Sequence, residues 1–156
     1  MVTTTMGRVI LTAKVENLFD LHAREHGLLP ADRVRTVEVT DALVDTGATT
    51  LLLPSRMIQE LGLILFRTRS ARGVGGTISM GMYGTVRLTI QGRDCVLDVG
   101  EIPDEFPVLI GQVPLELLDF VVDPQGRRLI GNPEHGGEHV IEAFRVGLPG
   151  TGATRP

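Results

Sequence analysis

Cysteine occurs once in these 156 residues, so no internal disulfide can form and nothing marks the chain for an oxidising compartment. That residue, Cys95, sits in the alternating stretch "RDCVLDV" and reads as a small core residue instead of a nucleophile. Basic excess is missing too: a formal charge of -4 leaves no electrostatic footprint for phosphate backbones, which excludes nucleic acid as an expected partner. No apolar run approaches a membrane span. The start, "MVTTTMGRVILTAKVENL", has neither the charged beginning nor the cleavage site of a signal peptide. Together these absences predict a cytoplasmic, soluble protein without nucleic-acid or membrane partners.

Glycine and proline are plentiful, with 19 and 9 copies, and they favour short strands joined by turns. The length fits one domain with a sizeable core. It is expected over residues 1–144, followed by a disordered Gly-, Pro- and Thr-rich tail at 145–156. Apolar and polar residues alternate from Arg8 to Leu18 and from Arg33 to Val44, predicting strands, with a turn of helix or a loop between them. "PSRMIQELG" predicts a short helix, capped by Ser55 and stopped by Gly62. A strand pair around Gly73–Gly76, continuing through Gly92 into "DCVLDV", forms a meander. A second short helix is expected from about Pro114 to Leu118, then a hairpin in "FVVDPQGRRLIG" and a strand near Val140 to Phe144. The expectation is all-β with one or two short helices.

The stretch most suited to chemistry is "ALVDTGATTLLLP". A strand delivers Asp45 onto a Thr-Gly corner between the apolar anchors Leu43 and Val44 and the run Leu51 to Leu53. Asp-Thr-Gly by itself is as often a simple turn, because Asp bonds its own backbone and Gly accepts unusual dihedrals. A carboxylate held between apolar runs, however, is placed for acid–base work.

"LVDTGA", the apex "GVGG" and the run "VLIG" before a short helix occur in the order and approximate spacing of retropepsin-like aspartic peptidases, which the chain resembles over roughly Ala42 to Asp123. The resemblance implies a folded β-barrel of short strands, one half-site per subunit, and a cofactor-free hydrolase acting on extended peptides. It places Asp45 as the catalytic aspartate, with Thr46, Gly47 and Ala48 supporting its loop. Thr46 would brace the same loop of a second chain, and Gly47 would line the cleft. Gly73, Val74, Gly75 and Gly76 would form the tip of a flap, while Leu109, Ile110 and Gly111 would pack behind the catalytic loop.

The chain departs from the retroviral pattern at Thr49, Thr50 and Gln112, which stand where an acid or two and an arginine are common. Both members of that ion pair are replaced together, so no charge is stranded. About 40 residues precede the motif, and residues 124 to 156 extend past the usual retroviral end. No second Asp-Thr-Gly or Asp-Ser-Gly exists; "DVG" at Asp98 lacks the hydroxyl. The resemblance therefore implies a homodimer, in which a two-fold axis brings Asp45 beside its own copy.

Rival sites carry less. His22 and His26, like His135 and His139, are four apart, but Gly136 and Gly137 oppose a helix in the second pair and no cysteine supports either. They read as surface histidines, and no metal is expected. Arg67, Arg69 and Arg72 precede "GVGG" without a following Walker lysine, and read as a solvated strand face. No serine lies in Gly-x-Ser-x-Gly.

Overall fold

A computed structural model describes residues 8–73, 75–123, 125 and 127–144. The expected tail at 145–156, Val74 of the expected flap tip, and Pro124 and Gly126 of the expected hairpin lie outside them. The first strand, β1 (Val9–Asn17), buries Val9, Ala13 and Val15 by alternation, with an irregularity between Leu11 and Ala13. It pairs antiparallel with β2 (Thr36–Val44). Then come β3 (Leu51–Pro54), β4 (Ile64–Gly73), β5 (Gly76–Ile90), β6 (Arg93–Ile102) and the two-residue β7 (Leu109–Ile110). Their order in the sheet is β1-β2-β7-β3-β6-β5-β4, and β5 also pairs back onto β1 from Lys14↔Thr89 to Asn17↔Val86. Six strands thus close into a barrel, and β4 stands outside the closure. The fold is all-β, as expected.

The barrel is filled by inward-facing aliphatic side chains, among them Leu51, Leu53, Leu88, Ile90, Val99 and Ile110, each almost fully buried. At the closing seam Glu16, itself buried, receives Arg87 Nε at 3.0 Å and Arg87 Nη2 at 2.9 Å across the strand pair. The meander is present: β4, β5 and β6 are successive antiparallel strands, and Gln91 and Gly92, both at positive φ, make the β5–β6 turn.

Among the described residues three short α-helices are present where one or two were expected. The additional one, α1 (Leu18–Glu25), occupies the segment expected to be a turn or loop. Asn17 caps it, accepting from Asp20 N–H at 3.0 Å and donating from Nδ2 to Leu61 O at 2.7 Å. Asp20 is buried and grips Arg35 through Nε at 2.8 Å and Nη2 at 2.9 Å; that hydrogen-bonded guanidinium holds the Asp20 carboxyl below its ordinary range. The second helix, α2 (Ser55–Leu61), ends at left-handed Gly62 as expected, but Ser55 is not its cap. Pro54 takes the cap position, and Ser55 Oγ donates to Ile102 O at 3.4 Å. The third, α3 (Gln112–Leu118), begins two residues earlier than expected and carries Pro114 in its first turn, where a missing N–H costs no helical bond.

The expected hairpin is formed by β8 (Phe120–Asp123) and β9 (Arg128–Gly131), a separate two-stranded sheet. Val140 to Phe144 form no strand, contrary to expectation; that segment is tethered by Val140 N–H to Asp119 Oδ2 at 3.1 Å and by His139 Nε2 to Leu117 O at 3.1 Å. None of the helices is long and apolar enough to cross a membrane among the described residues.

Candidate active site

Asp45 is the first residue past β2, and its position follows from one unusual pairing. The end of β2 runs parallel to β7, with Leu43 opposite Leu109 and Val44 opposite Ile110. Leu43 N–H donates to Val108 O and Asp45 N–H to Ile110 O, each at 2.9 Å, so the ladder continues to the aspartate itself. There the chain turns: Asp45 Oδ1 accepts from Gly47 N–H at 2.9 Å, and Asp45 O accepts from Ala48 N–H at 3.0 Å. A Cβ at position 47 would lie 3.2 Å from Asp45 Oδ1, so glycine keeps that bond short without crowding. Asp45 is half-buried, while Thr46 and Gly47 face solvent.

Behind the corner, β7 lies between the two arms of the loop, because β3 pairs antiparallel with it, Leu51 opposite Ile110. Gly111 N–H donates to Thr50 O at 3.0 Å. A Cβ at Gly111 would lie 2.5 Å from Thr50 O and 2.6 Å from Ala48 O, a clash with backbone that only glycine avoids. The first amides of α3 complete the brace: Gln112 N–H donates to Ala48 O at 2.9 Å and Val113 N–H to Thr49 O at 2.8 Å. Donors that a helix start leaves unpaired are thereby spent on the carbonyls of the aspartate loop. Residues Asp45 to Ala48 and Leu109 to Gly111, far apart in sequence, are therefore one hydrogen-bonded unit.

Three supports were not visible as such in the sequence. Thr50 Oγ1 donates to Asp98 O at 3.3 Å, and Asp98 Oδ1 accepts from Thr85 Oγ1 at 2.8 Å, which fixes the end of the loop to β6 and β5. The threonine expected to mark a lost ion pair thus has a partner of its own. The α3 amides are the second, and the signal for them was present: Gly111 followed by a helix start with Pro114. The third is Met80 of β5, which lies across Gly100 beside Leu52; a Cβ at Gly100 would meet Met80 Sδ and Leu52 Cδ2, each at 2.8 Å. This seats the root of the β4–β5 hairpin against the strand leaving the aspartate loop.

That hairpin carries the remaining residues singled out in the sequence. Its arms pair from Ile64↔Gly84 to Gly73↔Gly76, with Gly75 at the turn, and its outer part is exposed. No hydrogen bond joins Gly73, Gly75 or Gly76 to the aspartate loop among the described residues. Elsewhere, Cys95 packs partly buried against the core, and burial, with Asp94 nearby, pushes its thiol up to about 11. His135, expected to be a surface histidine, has both ring nitrogens engaged: its Nδ1 lies 2.7 Å from Asp119 Oδ2 and its Nε2 3.1 Å from Glu142 Oε2. No group of three or more His, Cys, Asp or Glu side chains among the described residues is arranged to hold a metal ion.

A closed barrel with a carboxylate on an Asp-Thr-Gly corner, locked from behind by an apolar-apolar-Gly strand, defines the aspartic peptidase class. Residues 33–113, just over half of the chain, match the aspartyl protease family, and the chain belongs to it. No match is found among curated proteins.

Proposed function

We propose that the chain is an aspartic endopeptidase whose catalytic pair consists of Asp45 and the Asp45 of a second copy in a homodimer. The observation that carries this reading is the single, rigidly braced Asp45 in a chain of the aspartyl protease family, with no second such corner in the sequence. Thr46 supports it: exposed, next to Asp45, it forms no side-chain hydrogen bond among the described residues and is free to brace a partner loop. A two-fold contact brings identical residues together on its axis.

Two carboxylates about 4 Å apart repel by roughly 4 kcal/mol at an effective dielectric of about 20, so one proton is retained between them. The ionised member takes a proton from a bound water, whose oxygen attacks the amide carbon. The protonated member gives its proton to the carbonyl oxygen, producing a tetrahedral diol. Collapse breaks the C–N bond as a proton passes to the leaving nitrogen, without a covalent enzyme intermediate. The β4–β5 hairpin serves as the flap, with Gly73, Gly75 and Gly76 at its tip; closing over an extended peptide excludes water and lets backbone groups pair with it.

The test is to incubate wild type and Asp45→Asn with a diverse peptide mixture between about pH 4 and 7. Cleavage by wild type and none by the variant is expected. Cleavage that survives in Asp45→Asn contradicts the assignment, and binding without cleavage by wild type identifies a dimeric peptide-binding module of the same fold.

A further inference from the structure

The outer strand of the hairpin, β4, is the last strand of its sheet, so one row of its N–H and C=O groups has no ladder partner among the described residues. Its side chains fall into two blocks. Ile64, Leu65 and Phe66 are 71%, 50% and 45% exposed, an unusual run of large apolar residues in water. Arg67, Arg69 and Arg72 follow, all exposed, and no Asp or Glu occurs from Ile64 to Gly81. Arg35, Arg56, Arg87 and Arg128 each have a carboxylate partner. The three β4 arginines have none among the described residues; Arg67 lies only over the Phe66 ring, 5.0 Å from its centroid.

Charges on an edge strand can serve simply to discourage strand pairing. That purpose does not account for three successive exposed apolar residues beside them. An open edge, an apolar block and an unpaired cationic block together match an extended ligand with the complementary sequence of features.

We propose that the open edge of β4 is a docking strand for an extended peptide segment carrying carboxylates at alternate positions beside an apolar stretch, bound outside the Asp45 cleft. Strand addition supplies the backbone hydrogen bonds. Arg67 and Arg69 pair across the hairpin with Met82 and Met80 and share one face, about 7 Å apart along the strand, the spacing of side chains i and i+2 of a second strand. Arg72, paired with Thr77, lies on the opposite face. Because the whole chain is at -4, this hairpin is a positive patch on an otherwise negative molecule, which steers an acidic segment to it. Docking requires no catalytic pair, so it stands or falls separately from the proposed peptidase activity.

The experiment uses the full chain as Asp45→Asn, so that no probe is consumed, and fluorescence anisotropy of a dye-labelled ten-residue peptide with an Ile-Leu end followed by alternating Glu and Val. Its counterpart has Gln for every Glu. The acidic probe is expected to bind about tenfold more tightly than the Gln probe at low salt, with the preference shrinking as salt rises. Further substitution of Arg67→Glu and Arg69→Glu is expected to abolish or invert the preference, and Arg67→Lys with Arg69→Lys to retain it, each variant being checked for unchanged circular dichroism. Equal binding of the two probes, or an undiminished preference in the charge-reversed chain, overturns the proposal. So does tighter binding of a single-stranded oligonucleotide of equal charge, which would assign the edge to nucleic acid.

Discussion

Gly111 shows how little freedom the aspartate loop has. Its backbone passes so close to the carbonyls of Thr50 and Ala48 that any side chain must push the loop away. Gly111→Ala is expected to lower stability by about 1–3 kcal/mol, the usual range for overpacking, and to reduce cleavage further by displacing Asp45. Urea unfolding and peptide turnover, measured on the same preparation, separate the two effects. Cys95 lies at the other extreme, partly buried where it packs against the core. With its thiol raised to about 11, native protein is expected to react with a thiol reagent at pH 8 far more slowly than denatured protein does. Rapid native labelling would contradict that burial.

Among the elements, the seam between β1 and β5 closes the barrel, and Glu16 sits buried within it. Arg87→Met removes the partner that this carboxylate receives across the strand pair, leaving Lys14 Nζ, 4.0 Å away, as a weak substitute. A loss of roughly 1–3 kcal/mol is expected by urea titration, less than for a fully enclosed pair because Arg87 is partly exposed. At the far end of the chain, Asp119, buried and at positive φ, gathers Asn132 Nδ2, His135 Nδ1 and Val140 N–H, and Arg93 donates to its carbonyl at 2.8 Å. The His135 hydrogen bond, with those of Val140 and Asn132, holds the Asp119 carboxyl down at about 2, and Asp119 and then Glu142 raise His135. The lowered acid contributes stability above its ordinary 3.8, lost as pH falls through about 2. The raised histidine contributes below its ordinary 6.5, lost as pH rises through its higher folded value. Both contributions are therefore complete between about pH 4 and 6.5. The melting-temperature gap between wild type and His135→Gln is expected to be widest in that window and to narrow above it; a gap independent of pH would contradict the clasp.

These elements also show what could be read in advance. Strands with one buried face announced themselves by alternation, as did the Gly-turned meander and the Gly62 stop. The α1 helix did not, because it buries only Asp20 and Leu21, and its hold comes from Asn17 bonding Leu61 and Asp20 gripping Arg35, contacts distant in sequence. The start of α3 was misplaced for a related reason: the amides of Gln112 and Val113 are satisfied by the Ala48 and Thr49 carbonyls, not by a local cap. A strand was expected near Val140 to Phe144, yet the clasp at Asp119 holds that segment instead.

At the scale of the whole molecule, the corner holding Asp45 was legible because its residue types are dictated by covalent and steric limits: an acid, a small hydroxyl, then glycines where backbones touch. The proposed pairing of two such corners would be a property of two molecules, with one Asp-Thr-Gly from each chain. The most direct measurement is therefore peptide turnover per chain across a dilution series, with sedimentation velocity run at the same concentrations. Turnover that rises and falls with the dimer fraction, and is absent in Asp45→Asn at every concentration, is the expected result. Undiminished Asp45-dependent cleavage by chains that sediment only as monomers, with substrate present, would contradict the shared catalytic pair.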